Sequence, residues 1–433
     1  MILWQKLLSV PLTFQRALLL SRYVKIFKKC FFTIGLAYNH YFYCVYNSLF
    51  LFFPIMSSAH HLLQKLPVNL KNLALKEWED LFDYLGFRAS SRANIYKAIF
   101  YQNITSSEEI DSLTDKERNQ LDEITVFPAS TKQSLIQSQD RSWKLTLRLH
   151  DGKSTETVII PEWSDDKLTK CSVSISSQVG CFFGCSFCAT GKMGFHRNLS
   201  TGELLDQVRE AEHVVKNELN TDITHLYFMG MGEPMHNYRA ISDALSIMRD
   251  PSAPGPPLSQ ITVSTVGLFR QIRMLAQEHP EVNLAVSIHS ADQEVRKEIM
   301  PASARLGLAE IRDALIYYTR QTGHPVTIQY LLMQGINDRQ EDAEKLVEYL
   351  HQLPAKITLI MFNDIADSNN KQTEVAQMQE FRKKLDESGF NTDVRWCYGE
   401  DIEAGCGQLN ISTSQERVSM SMRNSSRDPS VTT

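Results

Sequence analysis

Two periodicities divide the chain. Between Leu70 and about Phe127 apolar residues recur three and four apart: Trp78, Leu81, Phe82 and Leu85, then Ile95, Ile99 and Phe100, then a third stripe over 113–124. That spacing predicts amphipathic helices, with Gly86 ending the first. Over 142–160 the period becomes two, WKLTLRLHDGKSTETVII, which predicts a hairpin turning at Asp151 and Gly152. Downstream, short β-branched runs at 172–179, 225–231, 261–267, 283–290, 326–333 and 357–363 read as strands, and 202–219, 308–322 and 340–353 as helices between them. Six such units imply an α/β fold, a partial six-stranded parallel barrel with its reactive side chains at the strand carboxyl ends. The expected organisation is a helical accessory domain over 56–130, a catalytic domain over 142–410, and a disordered Ser/Thr/Arg-rich tail over 411–433.

The first 55 residues fit neither period. They carry six basic residues (Lys6, Arg16, Arg22, Lys25, Lys28 and Lys29), no acidic one, and a charge-free aromatic run from Cys30. The run is long enough for a bilayer anchor, yet Asn39, His40, Asn47 and four tyrosines dilute it, and no small-residue cleavage pattern marks a leader. The other reading is that the protein starts at Met56, where MSSAHHLL opens an ordinary helix-forming region. The formal charge of the whole chain is −5; beyond residue 55 there are 39 basic and 50 acidic residues. Any nucleic-acid face is therefore local rather than global. With 433 residues, 43% of them hydrophobic, a sizeable core is within reach.

Eight cysteines occur, and their clustering is unlike a secreted disulfide framework, so a reducing, cytoplasmic setting is expected; a monomer without membrane association is the expected state. Cys181, Cys185 and Cys188 stand four and three apart in GCFFGCSFCATGKMGF, bounded by the turn-forming Gly180 and Gly184. Three readings are open: buried core cysteines, a structural zinc with a distant fourth ligand, or an iron–sulfur cluster that keeps one iron free for chemistry. Phe182, Phe183 and Phe187 suit a core, and equally an apolar shell that limits water around a cluster.

The CxxxCxxC spacing, with an aromatic before the last cysteine, resembles the cluster loop of the radical S-adenosylmethionine superfamily. With SSQVGC, FMGMGEP, ITVSTVG, AVSIHS and DIEAGCGQL in order, the chain from about 156 to 409 resembles the ribosomal RNA adenosine methyltransferases of the RlmN and Cfr type. The resemblance implies a [4Fe-4S] cluster on Cys181, Cys185 and Cys188, with S-adenosylmethionine contacted by Gly232, Glu233, Ser264, Ser287, His289 and Asn363. Taken alone, each is an ordinary glycine or satisfied polar residue; here Asp364 follows Asn363 where relatives often have proline.

The resemblance also makes Cys406 a methyl carrier. One cofactor molecule methylates it and a second supplies a deoxyadenosyl radical, which takes hydrogen from the thiomethyl group so that its carbon adds to adenine C2 or C8. Glu156 would be the general base, and an electron donor such as flavodoxin would feed the cluster. Releasing the adduct needs a second thiol to attack the Cys406 sulfur, leaving a transient disulfide. Relatives have that cysteine seven residues before the first cluster cysteine, where this chain has Ser174; Cys171, three residues earlier, is the candidate, though an odd offset in a strand turns it to the other face. The implied substrate is RNA, 23S ribosomal RNA first and transfer RNA second. Arg88, Arg92, Lys97, Lys192, His196 and Arg197 are candidate phosphate contacts, or simply solvated charges. Two other readings are a radical enzyme with a non-RNA substrate and a cluster-holding redox protein that transfers no methyl group.

Overall fold

The computed structural model describes residues 67–410 except 103, 128, 129, 252, 364, 366 and 367; the extension over 1–55 and the tail over 411–433 lie outside these. Ten strands form one sheet in chain order: β1 (Thr131–Gln137), β2 (Trp143–Arg148), β3 (Ser154–Ser164), β4 (Lys167–Ile175), β5 (His225–Phe228), β6 (Ile261–Thr265), β7 (Asn283–Ser287), β8 (Val326–Leu332), β9 (Ala355–Met361) and β10 (Asn391–Arg395). The first four are antiparallel neighbours, and β4 to β10 run parallel. All six expected parallel strands are present as β4 to β9, within an α/β partial barrel.

Two strands escaped the hydrophobic pattern. β10 reads NTDVR and β1 reads TKQSLIQ; each is an edge strand with a largely solvated side, so neither needs an apolar run. β10 matters for function. Its Arg395 sends Nη1 to within 3.5 Å of Met229 Sδ and its guanidinium over the Tyr227 ring at 5.6 Å, so the sheet curls until β10 faces residues of and just after β5.

Helices cover the outside: α1 (Leu75–Leu85), α2 (Ala89–Tyr101) and α3 (Asp115–Ile124) precede the sheet, and α4 (Thr201–Leu219), α5 (Tyr238–Met248), α6 (Phe269–Glu278), α7 (Leu308–Thr322), α8 (Gln340–Tyr349) and α9 (Val375–Glu387) lie between its strands. Gly86, at φ 71°, caps α1 as expected. Trp78 stacks on Phe82 at 4.0 Å between ring centroids, and Ile95, Ile99, Phe100 and Leu121 close the small cluster between α1, α2 and α3.

The expected helical unit (56–130) and catalytic unit (142–410) share one hydrophobic core, which runs from Leu70 to Leu409 among the described residues. The seam is fixed by Asp206 of α4, which accepts from Lys71 Nζ at 2.8 Å and from Ser130 N at 3.0 Å. Both members of the Lys71–Asp206 pair are buried; removing one partner of such a pair costs about 3–5 kcal/mol. The helices and the barrel therefore fold as one body.

Candidate active site

β4 sends alternate side chains to opposite faces. Ser172 and Ser174 reach a cavity of about 250 Å³ enclosed by the curled sheet, whereas Cys171, Val173 and Ile175 point into the core under the helices. Cys171 is 1% exposed. The odd offset turns its side chain away from this cavity: the one register shift between β3 and β4 lies at Glu162/Trp163, and the pairing from Cys171 to Ser174 is regular.

Beyond β4, Gln178–Gly180 pairs with Phe195–Asn198 and pinches off the cysteine loop. Cys181 N donates to Gly194 O at 3.0 Å. At Gly180, φ is 74° and a Cβ would sit 1.8 Å from Gly194 O, so only glycine closes this turn. Cys181, Cys185 and Cys188 all line the cavity, inside an apolar shell of Phe183, Met300, Leu331, Ile360 and Phe362. Burial pushes the Cys181 thiol up to about 12 and raises the other two. Without a metal they stay protonated. Arg296, fully buried, donates to the carbonyls of Ser303, Leu306 and Val266, and its charge acts on Cys185.

A soft metal cluster suits this donor set: thiols only, desolvated, with a cation beside them to offset thiolate charge. Among the described residues no three His, Cys, Asp or Glu side chains gather closely enough for one ion. A cubane spreads three thiolates over three irons and does not require it.

The six expected cofactor contacts also lie on the cavity, except that Asn363 borders it through Cys406. Gly232, at φ 94°, passes so close to Gln178 that a Cβ would lie 2.5 Å from its Cβ. That fold of the chain brings Glu233 inward, 4% exposed, with Oε2 accepting from Val266 N at 2.9 Å and Oε1 from Met235 N at 3.0 Å. Desolvation raises this carboxyl to about 7. A buried carboxylate held up by its surroundings is completed by a cationic ligand, as the ammonium of an amino acid would be.

Ser264 and Ser287 both donate to Gln329 Oε1, at 2.8 and 3.2 Å, forming a polar layer across three strands. His289, at φ 55°, accepts from Leu331 N at Nδ1 (3.0 Å) and meets the edge of Phe187. Burial, reinforced by Arg296, lowers it to about 3, so it is a neutral hydrogen-bonding group and not an acid–base one.

Cys406 sits on the same cavity, its surface open to the interior although protein surrounds it. Its loop is stitched to the cysteine loop by Ala189 N donating to Gly407 O at 2.7 Å and Thr190 Oγ1 donating to Leu409 O at 2.7 Å. Asn363 Nδ2 donates to Cys406 O at 3.0 Å. Loops 219 residues apart in the chain thus become one wall.

Glu156 is not on that wall. It is fully buried on β3, 3.5 Å from Lys144 Nζ, and Lys144 in turn donates to Glu403 O at 3.4 Å. The wall instead presents Glu162, paired with Lys170 at 2.9 Å.

Several proposed phosphate contacts are committed elsewhere. Arg197 is held by Asp151 at 2.7 Å and by Glu203 at 2.7 and 2.9 Å. Arg88 forks onto Glu117, and Arg92 is bound to Asp83. Lys97, Lys192 and His196 are exposed.

Sequence reasoning missed Gln329, Arg395, Tyr227 and Cys397 on the cavity wall. Gln329 left a signal: it is a polar residue in the otherwise apolar central run VTIQYLL. Arg395 and Cys397 left none, because β10 was not visible as a strand.

A curled parallel sheet whose carboxyl ends surround three cysteines and a buried carboxylate defines a radical S-adenosylmethionine enzyme, and the model for the radical SAM superfamily matches residues 175–350. The chain is 40% identical over 276 residues to a protein of Salinibacter ruber named a probable dual-specificity RNA methyltransferase RlmN, covering 63% of this chain and 75% of that one. A Chlorobium phaeobacteroides protein of the same name is 37% identical over 349 residues, 79% and 94% of the two chains. The crystal structure of a radical SAM methyltransferase from Sphaerobacter thermophilus superposes with a TM-score of 0.72 at 33% identity, covering 80% of this chain and all of that one. The chain belongs to the RlmN-type family of radical SAM RNA methyltransferases. A [4Fe-4S] cluster and S-adenosylmethionine are the groups that family implies, and the thiols and Glu233 described above fit them. No helix among the described residues is long and apolar enough to cross a membrane.

Proposed function

We propose that this enzyme methylates a ring carbon of an adenosine in RNA, C2 or C8, with 23S ribosomal RNA the principal target and transfer RNA a second, and that Cys406 carries the methyl group. The observation that carries the reading is the joining of two distant loops: Cys406 and the three cysteines of the 181–188 loop border one cavity, tied by the hydrogen bonds from Ala189 and Thr190. An electron-poor adenine carbon does not attack a sulfonium methyl directly, so a carrier thiol within reach of radical chemistry is what such a substrate requires.

Cys181, Cys185 and Cys188 hold the cluster, and Glu233 holds the ammonium of the cofactor. Bound together, cluster and S-adenosylmethionine supply the methyl group and the hydrogen abstraction that the reaction requires. Ser264, Ser287 and Gln329 present hydroxyls and an amide to the polar part of the ligand, while neutral His289 and Phe187 give it an apolar edge. Asn363 fixes the height of the Cys406 loop. The apolar shell limits the access of solvent to the reacting groups.

The test is anaerobic reconstitution with iron, sulfide, reductant, S-adenosylmethionine and ribosomal RNA, followed by nucleoside mass spectrometry. Methyladenosine should form with the native chain and not with Cys406→Ala. Deoxyadenosine release without any methylated nucleoside would refute RNA methylation, and absence of both would refute the radical reading.

A further inference from the structure

Among the described residues six cysteines are free of disulfides, and five of them line the cavity. Three of those five belong to the cluster loop. The other two are Cys406 and Cys397, the latter on the turn that follows β10. Both are held against the carboxyl end of β9. Cys397 Sγ donates to Met361 O at 3.7 Å and its thiol meets the side chain of Asn363, whose Nδ2 also holds the Cys406 carbonyl. The charge of a Cys406 thiolate would act on Cys397 within the cavity that both line. Ser174 reaches the same cavity from β4, but a hydroxyl cannot form a disulfide.

We infer that Cys397 is the resolving thiol of this enzyme, the group that frees the methylated base from Cys406. This rests on the carrier role proposed above for Cys406. In the step, the Cys397 sulfur attacks the Cys406 sulfur as the Cys397 thiol gives up its proton. The S–S bond forms and the bond from the Cys406 sulfur to the methylene carbon breaks. The electron pair of that bond passes to the carbon, which takes a proton and becomes the methyl group of the product. The two cysteines are together oxidised by two electrons, and a dithiol reductant returns them to thiols by exchange. Burial first, then the charges of Cys406 and Glu400, push the Cys397 thiol up to about 11, so it is held as the protonated thiol.

The chemistry explains the location. A resolving thiol must share the cavity of the carrier sulfur without being a cluster ligand. Cys397, just after the last parallel strand, meets that need, and Cys171 on the far face of β4 does not.

Two measurements test the inference. In the first, the full native chain, with and without its cluster, is treated with diamide, alkylated and digested, and its disulfides are mapped by mass spectrometry. A Cys397–Cys406 linked peptide is expected; Cys406 paired with another cysteine, or with none, overturns the inference. This readout does not depend on turnover. In the second, reconstituted Cys397→Ser is run against RNA beside the wild type. A protein–RNA adduct that survives denaturing electrophoresis and added dithiol should accumulate, and repeated turnover should be lost. Adding Ser174→Cys to that variant supplies a thiol at another point of the wall, and restored turnover would show that the defect is the missing thiol and not misfolding. Cys397→Ser that forms methyladenosine at the wild-type rate overturns the inference while leaving the carrier role of Cys406 intact. A wild-type chain that forms neither adduct nor product overturns both.

Discussion

Glu233→Gln separates what this carboxylate does for the ligand from what it costs the fold. Raising a buried carboxyl from its ordinary value to about 7 destabilises the ionised, ligand-free protein by about 3 kcal/mol. The side chain is 4% exposed, so little of this is lost to solvent screening. The sign follows from linkage. Between the ordinary carboxyl value and about 7 the folded chain holds a proton that the unfolded chain has released, so stability falls as pH rises through that window and is level on either side. Glutamine removes the titration. It also loses one acceptor, because both carboxylate oxygens accept backbone N–H groups, from Met235 and Val266; that fixed loss is about 1 kcal/mol. The stability of the variant relative to wild type should therefore begin slightly negative in acid and rise by about 3 kcal/mol on reaching pH 8. Urea unfolding of the cluster-free chain under reducing conditions, at a series of pH values, measures it. Parallel curves for the two proteins would refute the argument. The same variant should lose S-adenosylmethionine binding, since its amide cannot meet an ammonium with charge.

Gly180→Ala places a methyl group 1.8 Å from Gly194 O at a positive φ; it should lower stability by about 1–3 kcal/mol and reduce iron uptake on reconstitution, read by visible absorbance. Arg197→Ala breaks the contacts to Asp151 and Glu203 and should cost about 1 kcal/mol or less in stability, since the arginine is partly solvated, while the slope of log affinity for RNA against log salt stays unchanged. Cys171→Ala should leave a small core cavity and lower stability by about 1 kcal/mol with turnover retained; a loss of turnover in a folded variant would return Cys171 to the reaction.

The parallel strands, the three-cysteine loop and the Cys406 loop were legible in the chain because each is a local pattern. An apolar run of five to seven residues between helices has few alternatives to a buried parallel strand, and a glycine-bounded CxxxCxxC is short enough to be read without tertiary information. Ser264, Ser287 and Glu233 came from the family resemblance, and their place at the ends of such runs, where a barrel directs side chains inward, agreed with it. Local pattern could not say what Glu156 faces: its alternation is that of any strand residue, and only the pairing of β3 with β2 puts Lys144 against it. Nor could it say that Arg197 is an internal brace.

By itself the sequence determined the α/β class and the grouping of three thiols in one loop, because both depend on residues adjacent along the chain. Only the tertiary structure decided which thiols share the cavity with Cys406. Burial parity along β4 removes Cys171, and the curl of the sheet brings in Cys397 from just beyond an edge strand too polar to announce itself. Which side chains share a cavity is set by sheet curvature and register, and no run of neighbouring residues encodes either.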